Sequence, residues 1–403
     1  MSPIIAPNLA SPQFKANPYP FYARLRAESP VYRTTLPTRQ VAWLVTGYDD
    51  ALAVLKDERF AKDRFRIPLS EGSAKMPWMP GLLKPLARNM LDMDAPDHTR
   101  LRALVHRAFT PRLIERLRTR IQALCDELLT AAQRNGGMEL IRDYALPLPA
   151  TIIAELLGIP PQDRHAFHAW SNSMVSVSSS GDLVRALPHL WQFMRYIRAL
   201  LKLRRADPRD DLITALVKAE EAGDTLSEDE LLAMVVLVLI AGHETTVNLI
   251  ASGTLALLEN PEQLALLRQR PELIKPAIEE LLRYTSPVDL ATERFAREDL
   301  AIGGVTIPRG GQVLAVIGSA NRDEREFSQP DTLDITREPN RHLAFGQGAH
   351  YCLGAPLARM EGQIAVMTLF SRMPHLRLKS APESLRWRKG LFIRGLKQLP
   401  LLI

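Results

Sequence analysis

From His98 to Tyr284 apolar residues return every three or four positions, and this period predicts helices over 98–108, 111–134, 149–157, 161–174, 182–204, 210–222, 227–258, 260–269 and 271–284. Outside that stretch the pattern changes. Trp43-Leu44-Val45 followed by Thr46-Gly47 predicts a strand and a turn, with a short helix over 49–55. From Val288 to Leu343 short strands are punctuated by Gly303-Gly304, Pro308-Arg309-Gly310-Gly311 and Pro330-Asp331. Residues 1–22 hold five prolines and are expected to form an extended arm. Residues 66–88, with prolines at 68, 77, 80 and 85, are expected to form a long irregular loop, and 171–181, with six serines, a flexible connector. The sum is a single domain over 1–403, mainly α with a small β-rich lobe. Its β-rich parts fall at about 31–60 and 288–343, and its helical core at about 90–284 and 352–373.

Composition narrows the class. Of 403 residues, 46% are hydrophobic and 24% charged, which is the balance of a soluble globular enzyme. The net charge of +6 and a pI near 9.4 would permit nucleic-acid binding, but the basic residues are scattered among acids and form no phosphate-binding stripe. No nucleic-acid partner is expected. Cys125 and Cys352 lie far apart, and Cys125 sits in an amphipathic helical pattern, so a reducing cytoplasm is the expected compartment. No secretory signal and no N-terminal membrane anchor are read. The most apolar stretch, Leu231 to Gly242, is too short to span a bilayer and is expected to be a buried core helix.

The chemistry concentrates in Phe345-Gly346-Gln347-Gly348-Ala349-His350-Tyr351-Cys352-Leu353-Gly354. Glycines allow backbone angles closed to other residues and let N–H groups approach a sulfur, so this loop offers one thiolate to a metal. Phe345, Gly348, Cys352 and Gly354 satisfy Phe-x-x-Gly-x-x-x-Cys-x-Gly. A second signal, Ala241-Gly242-His243-Glu244-Thr245-Thr246, interrupts the longest helical pattern with poor helix formers, and a local distortion is expected there. Ala241 and Thr245, four apart, share a face, and a small residue, a hydroxyl and a carboxylate suit proton delivery to oxygen. His243-Glu244 lacks the second histidine of a zinc site, since Val247 occupies that position. Glu280 and Arg283 have the spacing of an ordinary helical surface ion pair. His98 and Arg102, four apart, share another helix face.

These motifs, in this order and spacing, resemble the cytochrome P-450 family of haem-thiolate monooxygenases, and the likeness covers nearly the whole chain. It implies the cytochrome P-450 fold with haem b (iron protoporphyrin IX) between the long central helix and the cysteine loop. Cys352 then falls at the iron-ligand position, with Phe345, Gly346, Gly348, Gly354 and Ala241 at cofactor-contacting positions. Glu244 and Thr245 match the family's acid–alcohol pair for proton delivery, and His98, Arg102, Arg294 and His350 match propionate-holding positions. Glu280 and Arg283 match a structural network joined by a further arginine, either Arg337 or Arg341. Substrate-facing positions by the same resemblance are Met76, Trp78, Met79, Leu82, Leu83, Leu237, Ala241, Val288 to Thr292 including Ala291, and Leu391 to Ile393 including Phe392.

The implied reaction inserts one oxygen atom of O2 into an apolar small molecule by hydroxylation or epoxidation. The resemblance is to bacterial members that oxidise polyketides, macrolides, fatty acids, steroids or terpenoids. No G-x-G-x-x-G dinucleotide fingerprint is present, so electrons are expected from a separate ferredoxin or flavodoxin with its reductase. Arg100, Arg107, Arg112 and Arg359 are candidates for docking that donor. A peroxide-driven haem-thiolate peroxygenase and a non-catalytic haem-binding protein are the alternatives; the Glu244–Thr245 pair, lost in peroxide-using relatives, favours reductive oxygen activation.

Overall fold

The computed structural model describes residues 4–64, 67, 89–134, 136–175, 180–221 and 227–403. The chain divides into two compact units, neither contiguous in sequence: Met1–Lys75, Gln122–Ala145 and Thr245–Ile403 form the first, and Met76–Ile121 with Leu146–Glu244 the second.

The first unit is organised on a five-stranded sheet. Val31–Thr35 and Val41–Val45 pair antiparallel, with Arg33 opposite Trp43. Val41–Val45 then runs parallel to Gln312–Ala315, which pairs with Arg294–Ala296, which pairs with Phe60–Ala61. The run Ala42-Trp43-Leu44-Val45 is uniformly apolar because both faces of this sheet are covered. Trp43 and Val45 pack with Tyr48, Ala51 and Leu55 of the helix Tyr48–Lys56, whereas Ala42 and Leu44 pack with Phe14, Tyr22 and Leu25.

Those last three residues correct the expected extended arm. The N-terminal segment forms the helices Pro12–Ala16 and Tyr19–Glu28, with Ser11 Oγ accepting from Phe14 N at 3.2 Å. Pro12, Pro18 and Pro20 lie at helix starts, where a missing N–H costs nothing and the fixed φ suits the first turn.

The second unit is helical. Asp97–Ala108 packs on Leu212–Glu221, and Arg164–Val175 packs on Ser180–Ala206. Arg204, 1% exposed, pairs with Asp211 at 2.5 Å and donates to the Gly158 carbonyl at 2.8 Å. Gly158, at φ +72°, has no room for a side chain beside Asp211. The connector read over 171–181 is mostly helix: one helix continues to Val175 and the next begins at Ser180, while 176–179 lie outside the described residues. The irregular loop read over 66–88 also lies outside them, apart from Ile67.

The longest element is Glu228–Glu259, 32 residues. Its start is a capping box, with Ser227 N donating to Glu230 Oε2 at 2.8 Å and Glu230 N to Ser227 Oγ at 3.2 Å. By length and composition this helix could cross a membrane, yet 61% of its most apolar window is buried inside the fold. The helical assignment continues unbroken through Ala241–Thr246, where a distortion was expected. Packing overrides propensity here: a Cβ on Gly242 would lie 2.7 Å from Ile153 Cδ1, so the glycine admits a neighbouring side chain.

Candidate functional site

The cysteine loop lies wholly in the first unit. Gly346 and Gly348 have φ of +67° and +73°, which only glycine adopts without strain. Gly346 N donates to Leu343 O at 2.8 Å, and Cys352 N donates to Phe345 O at 2.9 Å, closing the loop into a hairpin. A Cβ on Gly348 would lie 2.7 Å from Leu55 O, so this glycine lets the loop rest on the end of the helix Tyr48–Lys56. Arg294, 6% exposed, donates to the same Leu55 carbonyl at 3.2 Å and to Phe60 O at 3.3 Å, which brings it to the loop's flank. The helix Ala355–Arg372 starts three residues after Cys352, so the sulfur lies near the positive end of a helix dipole. Cys352 is exposed; Cys125 is fully buried, and burial pushes its thiol up to about 12. Of the two sulfurs, only Cys352 is presented for chemistry. His350 is half-buried on the short turn Gly348–His350.

Behind the loop, Glu280 and Arg283 form a buried structural network of the kind the resemblance implies. Both side chains are 0% exposed and pair at 2.7 Å. Arg283 also donates to the carbonyls of Asn321 and Pro330, each at 2.8 Å. The completing arginine is Arg337, whose Nε lies 3.2 Å from both Glu280 oxygens, joined by Asn340 Nδ2 at 3.0 Å. Arg341 is exposed, and its carbonyl accepts from Tyr48 Oη at 2.6 Å. A buried carboxylate so surrounded is satisfied on every side, which locks the segment leading into the cysteine loop.

Next to this lock is a cleft of about 510 Å³, lined among others by Tyr48, Lys56, Glu279, Phe345 and Tyr351. Arg359 is bidentate to Glu279 at 2.7 and 2.8 Å and stacks 4.4 Å from the Phe345 ring centre. Burial pushes the Glu279 carboxyl upward, but hydrogen bonds from Arg359 and His342 outweigh it and hold it down at about 2. Of the proposed donor-docking arginines, Arg359 is thus committed to Glu279 and Arg100 is ion-paired with Glu230, whereas Arg107 and Arg112 are exposed.

On the long helix, accessibility follows a single stripe. Leu237, Val238, Glu244 and Thr245 are half-buried, and Ile240 and Ala241 are exposed, while Leu239, His243, Thr246 and Val247 are buried. Ala241 and Thr245 therefore share an open face, as their spacing predicts. His243 turns inward, its Nδ1 lying 3.2 Å from Leu239 O. No group of metal-binding side chains occurs among the described residues. In the second unit His98 is 3% exposed and Arg102 half-buried, on the helix Asp97–Ala108.

Val288 and Phe392 come together in the first unit, whereas Ala291 N donates to Ala315 O at 2.9 Å. Val288 bridges Ile393, and both Asp289 N and Leu290 N donate to Phe392 O at 2.8 and 3.2 Å. Met76, Trp78, Met79, Leu82 and Leu83 lie outside the described residues. Sequence reasoning passed over buried Lys15 and Glu361, 0% and 1% exposed, for which a charged residue inside a helical segment was the only signal; Asp289, within the expected substrate-facing range 288–292, is instead 1% exposed.

A lone thiol left accessible by a glycine hairpin just ahead of a helix is the ligand arrangement of haem-thiolate oxidoreductases. Comparison with known proteins agrees: the family model "Cytochrome P450" matches residues 3–392, and the chain belongs to that family. It is similar to the polyketide biosynthesis cytochrome P450 PksS of Bacillus subtilis (strain 168), 46% identical over 96% of each chain. It is 45% identical to the cytochrome P450 monooxygenase PikC of Streptomyces venezuelae, over 99% of this chain and 94% of that one. Among solved structures it is similar to P450BioI in complex with hexadec-9Z-enoic acid ligated acyl carrier protein, at TM-score 0.88 and 42% identity, covering 98% of this chain and 100% of that one. The chain is accordingly an oxidoreductase, a cytochrome P-450 monooxygenase, and the family implies a haem cofactor.

Proposed function

We propose that the chain acts as one haem b monooxygenase domain of the bacterial cytoplasm, oxidising an apolar fatty-acyl or polyketide-like small molecule with O2 and electrons from a separate ferredoxin or flavodoxin and its reductase. The observation that carries this reading is the contrast between the two cysteines: Cys352 exposed in a positive-φ glycine loop, Cys125 buried with its thiol pushed to about 12. The residues present fit a haem. Gly346 and Gly348 open the loop, Cys352 offers a soft anionic ligand, and His98, Arg102, Arg294 and His350 supply the donors that two propionates require. Phe345, Gly354 and Ala241 are assigned to cofactor contact.

Haem, when bound, supplies the iron that takes up and reductively activates O2. Cys352 would hold that iron through its thiolate and would supply electron density to it. Thr245, on the open stripe of the long helix, holds a proton at its hydroxyl where oxygen reacts, and Glu244 replenishes it. Ala241 keeps that stripe free of bulk. Leu237, Val288, Ala291 and Phe392, all apolar, orient the substrate and exclude water. The substrate class is supported by the relatives, one named for polyketide biosynthesis and one solved with a fatty-acyl carrier protein. Titration of the ferric protein with myristic acid and with a macrolactone tests it: a low-to-high-spin shift and an oxygenated product, formed only with reductase, ferredoxin and O2, are expected. Equal product yield from peroxide alone, with no need of reductant, would overturn it.

A further inference from the structure

Behind the segments that carry Val288, Ala291 and Phe392 lies a fully buried charged cluster built from the N-terminus. Lys15 and Asp289 are 0% and 1% exposed, with Lys15 Nζ donating to Asp289 Oδ2 at 2.5 Å. The same ammonium donates to Leu391 O at 2.8 Å. Tyr22, 1% exposed, donates its hydroxyl to Asp289 Oδ2 at 2.9 Å. Asp289 N is bonded to Phe392 O at 2.8 Å, and Asp289 O accepts from Gly318 N at 3.0 Å; a Cβ on Gly318 would collide with Asp289 Oδ1. Arg394 closes the ring by donating to the carbonyls of Lys15 and Ala16 at 2.8 and 3.1 Å.

Two opposite charges taken wholly out of water are a costly way to fasten a five-residue helix, and apolar side chains of similar volume usually do so as well or better. What the pair adds is direction. One ammonium holds the Asp289 carboxylate and the Leu391 carbonyl at once, so it braces the separation of 288–292 from 391–393. Backbone bonds from Asp289 N and Leu290 N to Phe392 O already align the two segments, and the ammonium adds a side-chain tie across them. On the same two segments Val288, Ala291 and Phe392 are half-buried, while Asp289 and Leu290 are buried.

We propose that Lys15 is a positioning residue for substrate selection: through Asp289 and the Leu391 carbonyl, with Tyr22 orienting the carboxylate, it sets the shape of the pocket wall formed by Val288, Ala291 and Phe392. The proposal rests on the reading above that these residues face the substrate. It makes the N-terminal helix Pro12–Ala16, remote in sequence from every motif, a determinant of which ligands fit.

The test uses the haem-loaded full chain as wild type, Lys15→Met, the double variant Lys15→Met/Asp289→Leu, which leaves no unpaired charge, and the milder Tyr22→Phe. Each is titrated with imidazole, which needs only an open haem iron, and with 4-phenylimidazole, which also needs the wall. The expected result is a normal thiolate-type carbon monoxide band in every protein and imidazole Kd values within about twofold of wild type. The 4-phenylimidazole Kd should shift by about tenfold in the double variant, as for a methylene-scale change in a pocket, and in the same direction but less in Tyr22→Phe. Parallel behaviour of the two azoles in the folded variants would overturn the proposal. So would loss of haem in all three variants, which would make the cluster a strut of the fold. Absence of a thiolate band in wild type would instead refute the haem-thiolate reading itself, and the positioning role with it.

Discussion

Glu361 gives a prediction whose size follows from its surroundings. It lies on the helix Ala355–Arg372, is 1% exposed, and its Oε1 has no hydrogen-bond partner. Burial alone pushes its carboxyl from 4.5 to about 8. The folded chain therefore keeps a proton between those values that the unfolded chain releases, so stability is fully present below pH 4.5 and is lost as pH rises toward 8. The slope is about 1.4 kcal/mol per pH unit, or about 5 kcal/mol over the whole interval. Glu361→Gln keeps the shape and removes the titration. Its stability relative to wild type should rise by about 2.7 kcal/mol between pH 6 and pH 8. At the entropy of unfolding typical per residue, that is a Tm gap widening by about 3 °C for a chain of this length. Scanning calorimetry of the two proteins at pH 6, 7 and 8 measures it. A gap that stays constant with pH would show that Glu361 is already ionised or solvated in the folded state, and the burial argument would fail.

Thr245→Ala should leave the carbon monoxide spectrum unchanged but lower the ratio of product formed to reductant consumed, by about 10²-fold at the upper end, as read from product and peroxide yields. Arg337→Leu leaves the buried Glu280 carboxylate short of a partner and should cost about 3 kcal/mol in urea unfolding, whereas Arg341→Leu, at an exposed side chain, should stay within about 0.5 kcal/mol. Gly348→Ala puts a Cβ at φ +73° and 2.7 Å from Leu55 O, so haem retention on dilution should fall although no ligand is changed.

Much of this was legible in the chain itself, because the long helices and the cysteine loop are specified by nearby residues. Spacing placed Ala241 and Thr245 on one face, and the open stripe of Glu228–Glu259 runs through both. What escaped depends on distant partners. The structural network of Glu280 and Arg283 was expected by resemblance, but only the folded chain selects Arg337 over Arg341 as its third member. Lys15 and Asp289 stand 274 positions apart, so no local pattern announces their contact. Pro12, Pro18 and Pro20 were counted as breakers when their places at helix starts make them helix starters. Gly242 was read as a weakness of the helix, but it is the hole that Ile153 fills.

The central claim is that Cys352 binds a haem iron as thiolate. The absorption spectrum of the dithionite-reduced protein under carbon monoxide, recorded for wild type and for Cys352→His, tests it most directly. The account predicts a strongly red-shifted Soret band in wild type and an ordinary haem–carbon monoxide band in the variant. An ordinary band in wild type, or a red-shifted band that survives the substitution, would contradict it.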